Sequence, residues 1–403
     1  MKKYLVIVAV VFVWTATVYA DSLNCREIGA WPFGPSYAVA LDPNRHLAFV
    51  GSGGGVYVVD VTNPASPVKL SDAIHTRGIV KGLAQNSNRL YIAAREAGLE
   101  IWDVTNPTTP TRLGTCNTPG AARGVAVAGS YAYVADDDAG LRVIDVSDPA
   151  NPQEVGYYDT PGSARGVAVA GSYAYVADYG SGLRVIDVSD PANPNEVGYY
   201  DTPGAAYGVA VAGSYAYVAD ADSGLRVIDV SDPAHPNEVG YYDTPGAAYG
   251  VAVADSYAYI ADGHAGLRVI DVSDPADPNE VGYYDTPGAA YGVAVAGSYA
   301  YVADYDAGLR VIEFYGVGVE ERFQRTANGS PLNATIVRNV LRWEKTGDRR
   351  PMTDDGSEAF LVDVTGRKVL ELKPGENDVR HLSPGVYFIR SGSGIDRRVV
   401  IAR

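Results

Sequence analysis

The chain has few of the residues on which enzymes most often depend. Two cysteines and five histidines occur among its 403 residues, and no two histidines stand at a spacing suited to a shared metal ion. The sequence contains neither a Gly-x-Ser-x-Gly elbow nor a phosphate-binding loop. These absences leave little support for catalysis.

Basic charge is scarce as well. The formal net charge is −16. Residues 1–20 and 316–403 are both net positive, so the segment between them is more acidic still. Such an acidic surface repels nucleic acid and anionic lipid, and we therefore exclude both as partners.

Sustained helical periodicity is absent, and a strand pattern recurs in its place. A short apolar run ending in an acidic residue occurs seven times, at a spacing of 43 residues and then of 42 throughout. A period of about 40 to 45 residues is typical of four-stranded propeller blades. We expect the acidic residues to be buried in their strands and to bind backbone N–H groups, because a buried carboxylate needs hydrogen bonds. They are Asp60, Asp103, Asp145, Asp187, Asp229, Asp271 and Glu313.

Each repeat predicts four short strands separated by turns. In the fifth copy the runs are Gly208–Ala212, Tyr215–Ala219, Leu225–Val230 and Glu238–Asp243, rich in Val, Ile and Tyr and separated by Gly, Asp and Pro. The first run has apolar residues on both faces. We therefore expect both faces of the innermost strand to be buried between neighbouring blades.

The two ends of the repeat region are complementary. The seventh repeat lacks a fourth strand, whereas Arg26–Trp31 matches a fourth strand and precedes the first complete repeat. Pairing them would leave no open sheet edge. We therefore predict an all-β fold, a seven-bladed β-propeller over residues 21–315 closed by an N-terminal strand. Cys25 and Cys116 would then lie two blades apart, which argues against a disulfide.

Further segments flank the propeller. Residues 1–20 contain two lysines, an apolar run and a small residue at position 20, which predicts a secretory signal peptide and not a membrane span. Residues 316–332 are a polar linker. In residues 333–403 the motifs Thr365–Val369, Leu382–Phe388 and Arg397–Arg403 resemble those of the C-terminal sorting domain of the type IX (Por) secretion system.

This resemblance implies a small immunoglobulin-like β-sandwich, export across the outer membrane by the secretion machinery, and release or attachment at the cell surface. An accessory sandwich or a stalk domain stays open as the alternative. The propeller repeats, whose third strand reads Leu225-Arg-Val-Ile-Asp229, resemble the LVIVD family. That resemblance implies a secreted or surface β-propeller and no established catalytic residues.

The loop between the second and third strands begins with aspartate in five repeats. Its Asp-x-Asp sequences place hard oxygens close together, which favours calcium. A five-residue hairpin with a left-handed glycine explains the same loops without a metal. Both interpretations stay open, and calcium is the one cofactor that we consider. The candidate ligands are Asp136, Asp138, Asp220, Asp222, Asp304 and Asp306.

A second set of candidates lies where each repeat connects to the next. One residue precedes each innermost strand, and propeller topology places all seven around one mouth of the central channel, on the same face as the aspartate loops. Aromatic and charged groups that converge on a concave mouth suit a ligand site. Simple packing between blades is the alternative. The residues are Tyr37, Lys81, Arg123, Arg165, Tyr207, Tyr249 and Tyr291.

We therefore expect a secreted or cell-surface binding or adhesion protein, monomeric and without enzymatic activity. It would present this propeller face to a glycan, a peptide or a protein. A secreted hydrolase or lyase acting at the channel mouth is the alternative, although near-identical repeats weigh against it because a catalytic acid and base need different environments. A scaffold without a ligand is the third interpretation.

Overall fold

The computed structural model describes residues 22–315 without a gap. It also describes seven shorter stretches near the C-terminus: 334–337, 340–343, 359–363, 368–372, 375–378, 385–391 and 394–401. The predicted signal peptide and the predicted linker lie outside the described residues. Every regular element in the described ranges is a β-strand, and no helix capable of spanning a membrane occurs in them.

Residues 22–315 form seven antiparallel sheets. Two short strands come first, β1 (Ser22–Leu23) and β2 (Cys25–Trp31). Blades 1 to 3 comprise β3 (Ser36–Asp42), β4 (Leu47–Ser52), β5 (Gly55–Asp60), β6 (Val68–His75); β7 (Gly82–Asn86), β8 (Arg89–Ala93), β9 (Leu99–Asp103), β10 (Thr111–Cys116); and β11 (Gly124–Ala128), β12 (Tyr131–Ala135), β13 (Leu141–Asp145), β14 (Gln153–Tyr158).

Blades 4 to 7 repeat the same order from the innermost strand outwards. They comprise β15 (Gly166–Ala170), β16 (Tyr173–Ala177), β17 (Leu183–Asp187), β18 (Asn195–Tyr200); β19 (Gly208–Ala212), β20 (Tyr215–Ala219), β21 (Leu225–Asp229), β22 (Asn237–Tyr242); β23 (Gly250–Ala254), β24 (Tyr257–Ala261), β25 (Leu267–Asp271), β26 (Asn279–Tyr284); and β27 (Gly292–Ala296), β28 (Tyr299–Ala303), β29 (Leu309–Phe314).

The innermost strands form a closed circle. Each contacts the innermost strands of the two neighbouring blades, and β27 of blade 7 contacts β3 of blade 1. The fold is therefore a seven-bladed β-propeller, as the sevenfold repeat predicted.

Neighbouring blades bury each other's apolar faces. Between blades 5 and 6, Leu225 and Val227 pack in one cluster with Ile260 and Ile270, and all four are fully buried. A cluster of this kind lies at each of the seven junctions. Burying one Leu or Ile side chain stabilises by about 1.5–3 kcal/mol, so the core consists of layers between blades.

The innermost strands are less buried than the sequence led us to expect. Every residue of β19 is only partly buried, and the same holds for β15, β23 and β27. The expectation of burial on both faces was wrong for these strands because they surround the axial channel. Burial is nearly complete instead in second and third strands such as β20 and β21.

The acidic residues that end the third strands are not buried. Asp229 lies at the last position of β21, where its Oδ1 accepts a hydrogen bond of 2.8 Å from the backbone N–H of Ser231. Hydrogen bonds from Ser231 hold the pKa of Asp229 below its ordinary value. The expected burial was wrong, but the expected bond to a backbone N–H is present, and it closes the turn that follows the strand. The same bond occurs at Asp60, Asp103, Asp145, Asp187 and Asp271.

The N-terminal segment spans two blades. β2 pairs antiparallel with β29, from Cys25 opposite Phe314 to Trp31 opposite Leu309. β1, which the sequence did not predict, pairs with β26 and adds a fifth strand to blade 6. Asn24 joins the two strands, and its Nδ2 donates a hydrogen bond of 2.5 Å to the carbonyl oxygen of Val281.

The described residues beyond 333 are also strands. They are β30 (Ala334–Val337), β31 (Val340–Trp343), β32 (Ala359–Asp363), β33 (Lys368–Leu372), β34 (Gly375–Asp378), β35 (Gly385–Ser391) and β36 (Gly394–Ile401). Five of them form a sheet in the order β30-β36-β35-β32-β33, and β31 pairs with β34.

A glycine begins the innermost strand of six blades, and a larger residue would not fit there. A β-carbon on Gly208 would lie 2.8 Å from the carbonyl oxygen of Tyr249 in the next blade. Blade 1 has Ala38 at this position. Because the side chain is missing in the other blades, consecutive blades approach closely at the axis. A β-carbon would lie 2.6 to 2.9 Å from the corresponding carbonyl oxygen at each of the other five glycines: Gly82, Gly124, Gly166, Gly250 and Gly292.

We expect Gly208→Ala to lower the free energy of unfolding by about 1–3 kcal/mol, because the new methyl group meets backbone that cannot move without shifting a blade. Urea unfolding measures the change. Gly180→Ala is the matched control, since a β-carbon there meets no atom within 4 Å and should alter stability by about 0.5 kcal/mol or less. Equal effects of the two substitutions would contradict the packing argument.

Candidate functional site

The seven residues predicted to surround the mouth occupy equivalent positions. In blades 2 to 7 the backbone N–H of each donates to the carbonyl oxygen that ends the second strand of its own blade, as Tyr249 does to Ala261 at 2.9 Å. This bond fixes the backbone, so the sequence alone decides which side chain each blade contributes. We call these residues the mouth circle: Tyr37, Lys81, Arg123, Arg165, Tyr207, Tyr249 and Tyr291.

Four tyrosines form one continuous side of the mouth circle. The ring centroids of Tyr37 and Tyr291 lie 5.2 Å apart. Tyr291 and Tyr249 stack at 4.8 Å with 20° between their planes, and Tyr249 meets Tyr207 edge-on at 5.0 Å. Such pairs contribute about 0.5–1.5 kcal/mol beyond their buried area. We call these four residues the aromatic arc.

The other side of the mouth circle is cationic and consists of Lys81, Arg123 and Arg165. Asp137 joins the two arginines: its Oδ2 lies 2.6 Å from Nη2 of Arg123, and its Oδ1 lies 3.6 Å from Nη2 of Arg165. One carboxylate therefore serves two guanidinium groups, and we call the three cations the cationic arc.

The two arcs meet at both ends. At one end Nζ of Lys81 lies 3.1 Å from the ring centroid of Tyr37. At the other end the guanidinium carbon of Arg165 lies 5.8 Å from the ring centroid of Tyr207. Both are cation–π contacts. Within the cationic arc, Lys81 and Arg123 are close enough for the charge of Arg123 to help lower the pKa of Lys81.

A second circle of residues, missed by the sequence analysis, surrounds the first. Each member follows the second strand of its blade and has a positive φ, which non-glycine residues seldom adopt. In blades 2 to 7 each forms an isolated β-bridge to the connection that leads into the next blade. We call it the outer circle: Gly53, Arg95, Asp137, Tyr179, Ala221, Gly263 and Tyr305.

The larger members of the outer circle reach the mouth. The ring of Tyr179 lies 5.5 Å from that of Tyr207 and 4.9 Å from the guanidinium of Arg165. The ring of Tyr305 lies 5.2 Å from that of Tyr37. A usable signal was present in the sequence, because this position varies among repeats that are otherwise almost identical.

The surroundings of the mouth change the acidity of its groups. Burial is the main cause that raises the pKa of Tyr37 to about 12. The pKa of Lys81 is lowered to about 8, first by burial and then by neighbouring cations. The Lys81 amine therefore loses its proton at a pH far closer to neutrality than an ordinary lysine does. The neighbouring charges are those of Arg123, Arg95 and Arg165, opposed by Glu96.

In blades 3 to 7 the loop between the second and third strands begins with a buried aspartate. This aspartate joins the loop to the connection that leads into its own blade. Both oxygens of Asp220 accept hydrogen bonds, one of 2.5 Å from the hydroxyl of Thr202 and one of 2.8 Å from the backbone N–H of Gly204. Burial raises its pKa above the ordinary value. The same threonine–aspartate–glycine link occurs at Asp136, Asp178, Asp262 and Asp304.

The proposed calcium ligands do not converge. Within each pair the first carboxylate is buried in its link, whereas Asp138, Asp222 and Asp306 are exposed. Oδ1 of Asp138 accepts a hydrogen bond of 2.6 Å from the hydroxyl of Ser163. In the described part of the chain, no three His, Cys, Asp or Glu side chains form a group that could hold a metal ion. Calcium binding stays a prediction from the loop sequences.

The repeats that build this mouth match a known family along most of the propeller. The LVIVD repeat matches residues 46–72, 77–118, 119–160, 161–202, 203–244, 245–286 and 287–313. The chain belongs to the LVIVD repeat family. Its seven matches coincide with the seven blades, and they confirm the resemblance found in the Leu-Arg-Val-Ile-Asp strands. A search of curated proteins found no match to the chain.

Solved structures show the same architecture at low sequence identity. The β-propeller domain of Cps50 (Swd1) from Myceliophteria thermophila is 12% identical with a TM-score of 0.59, and the match covers 72% of this LVIVD protein and 99% of that chain. The computationally designed Ika8 protein is 10% identical with a TM-score of 0.54, covering 71% and 99% respectively. These likenesses concern the fold alone.

We expect Asp220→Ala to lower the free energy of unfolding by about 1–3 kcal/mol, because it removes the acceptor of both the Thr202 hydroxyl and the Gly204 N–H and leaves these donors unpaired. The wild-type carboxyl has a raised pKa, so it stabilises the fold most fully below its ordinary value of 3.8 and less as pH rises through the raised value. The deficit of the variant should therefore grow on acidification, which urea unfolding at pH 7 and pH 4 would measure. A variant as stable as the wild type would contradict the structural role.

A thermal melting experiment tests calcium binding. If these loops are hydrogen-bonded turns, chelator-treated protein should melt at the same temperature before and after Ca²⁺ is restored. A rise in melting temperature on adding Ca²⁺ would instead show a site that binds the folded state.

Proposed function

We propose that the protein is a secreted or cell-surface binding protein whose ligand lies across the mouth circle. The observation that carries this proposal is the aromatic arc with a cation at each end: four tyrosines from four blades are in continuous ring contact, and the cations Lys81 and Arg165 adjoin the first and last of them. The ligand is a glycan, a peptide or a segment of a protein that fits the mouth.

The chemistry of the mouth supports binding. Tyrosines offer large, stiff faces for apolar ring or chain surfaces, and their hydroxyl groups can accept or donate hydrogen bonds. Guanidinium groups pair with carboxylates through two parallel N–H bonds. A concave surface that combines apolar faces with a few convergent polar groups is the usual form of a ligand site.

Backbone strain in the outer circle also supports a functional role. Arg95, Tyr179 and Tyr305 adopt φ values of 45°, 51° and 30°, a conformation that costs a residue other than glycine about 1 kcal/mol or more. Blades 1 and 6 have glycine at this position. Large residues kept at strained positions beside the mouth are expected where their side chains contact a ligand.

The raised pKa values of the buried loop aspartates do not favour an enzyme. Perturbed carboxyl groups often mark catalytic sites. Here, however, the same link recurs in blades 3 to 7, and both oxygens of each carboxylate accept hydrogen bonds within it. A general acid and a general base need different surroundings. Binding is therefore the function that the geometry supports best.

Export is a second part of the proposal. We infer that residues 1–20 direct secretion and that residues 333–403 form a sorting-type β-sandwich, which takes the protein to the cell surface or beyond. The three motifs quoted above support this, as does the presence of strands at 334–337, 340–343 and 359–363. The pairing of β2 with β29 supports the related proposal that an N-terminal strand closes the propeller.

A pair of truncations tests export and closure. Removing residues 333–403 should block appearance of the protein outside cells and leave the melting temperature of the propeller unchanged. Removing residues 22–31 should lower the melting temperature by several degrees, because β29 would lose its partner and blade 7 would have an open edge. Secretion without residues 333–403, or unchanged melting without residues 22–31, would overturn the respective proposal.

Replacing Tyr207, Tyr249 and Tyr291 together by alanine should weaken ligand binding about a hundredfold or more, because stacked aromatic residues at the centre of an interface contribute most of its binding energy. A glycan and peptide array probed with the full chain would identify a ligand, and calorimetry would measure the loss. Tyr199→Ala is the control, since Tyr199 is 54% exposed on an outer strand. Unchanged affinity in a folded triple variant would contradict the proposed site.

A further inference from the structure

The cationic side of the mouth contains more positive than negative charge. Asp137 is shared between two arginines, as described above, and Glu96 is an exposed residue that pairs with its neighbour Arg95 at 3.2 Å. Two carboxylates therefore face four cations on this side of the circle. The four cations are Lys81, Arg95, Arg123 and Arg165.

Lys81 is the cation with the least compensation. Its partner is the face of Tyr37, and no carboxylate of the described residues forms an ion pair with it. The side chain is partly buried, so water screens its charge less than at an open surface. A bound anion at this point would remove an unfavourable interaction that the free protein has to tolerate.

Two arginine donors beside Lys81 are also unsatisfied. Nε of Arg95 and Nε of Arg165 are buried, and neither has a hydrogen-bond acceptor in the described part of the chain. Buried donors without a partner are uncommon in folded proteins and cost stability. The Nε atoms of five arginines on third strands, Arg142, Arg184, Arg226, Arg268 and Arg310, are unsatisfied in the same way, so the free donors at the mouth support an anion site only together with its excess of positive charge.

The rest of the molecule does not attract anions. The net charge of −16 repels them at long range. Any anion that binds must therefore be held at short range by the cationic arc, where charges within a few ångströms interact strongly. Recognition of the anionic group would come from contact geometry and not from steering.

The places where the two arcs meet limit the shape of the ligand. At Tyr37 and Lys81, and again at Tyr207 and Arg165, an aromatic face stands directly beside a cation. A ligand matched to such a place has an apolar ring face and an anionic group on the same unit. A uronic acid has both, since its pyranose ring has a C–H face and one carboxylate attached to that ring.

We propose that the mouth binds an acidic saccharide, a chain of uronic acid units whose carboxylates pair with the cationic arc and whose rings stack on the adjoining tyrosines. This inference rests on the proposed function and specifies its ligand. A neutral sugar would leave Lys81 uncompensated, and an acidic peptide has no pyranose face to place on the aromatic arc.

Binding of a carboxylate at this point has a proton linkage. Lys81 in the free protein has a pKa of about 8, and a bound carboxylate raises it because it favours the charged amine. Affinity should then be constant below about pH 8 and should fall above it, with proton uptake on binding near pH 8.5. The charged groups that face Lys81 are those of Arg123, Arg95, Arg165 and Glu96.

Calorimetry with the full chain tests the proposal. The probes are tetramers of galacturonate, of mannuronate and of glucuronate, each compared with the tetramer of the corresponding neutral sugar and with tetraglutamate. At least one uronate tetramer should bind ten times more tightly than its neutral counterpart and than tetraglutamate. Lys81→Met should weaken that binding at least tenfold and abolish proton uptake at pH 8.5, without lowering the melting temperature.

The control variant is Lys69→Met. Lys69 lies on an outer strand, where its Nζ pairs with Oδ2 of Asp72 at 2.6 Å, so this substitution should leave the affinity for the uronate tetramer unchanged. If neutral tetramers bind as tightly as the uronate tetramers and the triple tyrosine variant loses this binding, the proposal of an acidic ligand is wrong and the proposed function stands. If tetraglutamate binds more tightly than every uronate tetramer, or if no tetramer binds, the proposal that the ligand is a saccharide is wrong. Binding that survives both the Lys81 variant and the tyrosine variant would overturn this inference and the proposed site together.

Discussion

The close approach of seven innermost strands around one axis is the constraint on which the rest of the molecule depends. Six of these strands begin with a glycine, because a side chain at that position would collide with the next blade. A β-carbon on Gly208, for example, would lie 2.8 Å from the carbonyl oxygen of Tyr249. That carbonyl belongs to a residue of the mouth circle. The contact that packs the blades therefore also sets the spacing of the side chains at the mouth.

The repeats are alike where they pack and differ where they face the mouth. The Leu-Arg-Val-Ile-Asp strand is the same in blades 3 to 6, and the buried aspartate link recurs in blades 3 to 7. The mouth and outer circles instead change from blade to blade, and the mouth circle has cations on one side and tyrosines on the other. A nearly symmetric scaffold thus supports an asymmetric surface, and an asymmetric surface suits a ligand that has both an apolar face and a charge.

The repeat period sufficed to predict the seven blades and the positions of the mouth circle. Once the repeats are aligned, each one supplies one blade, and the same position in every repeat lies at the mouth. Periodicity could not separate buried from exposed residues at strand ends, as with Asp229, which directly follows the fully buried Ile228. The variation at the outer-circle position was visible in the sequence, but the left-handed conformation that distinguishes residues such as Arg95 and Tyr179 from ordinary turn residues appears only in the backbone angles. The pairing of β1 with blade 6 depends on contacts between distant parts of the chain, which a local pattern does not show.

A crystal structure of the protein with an oligosaccharide found by array screening would test the central claim most directly. The account predicts that the sugar lies across the mouth, with one ring on the aromatic arc and an anionic group within hydrogen-bond distance of Lys81 or Arg165. A sugar bound to the outer strands of the blades, or at the opposite end of the channel, would contradict it.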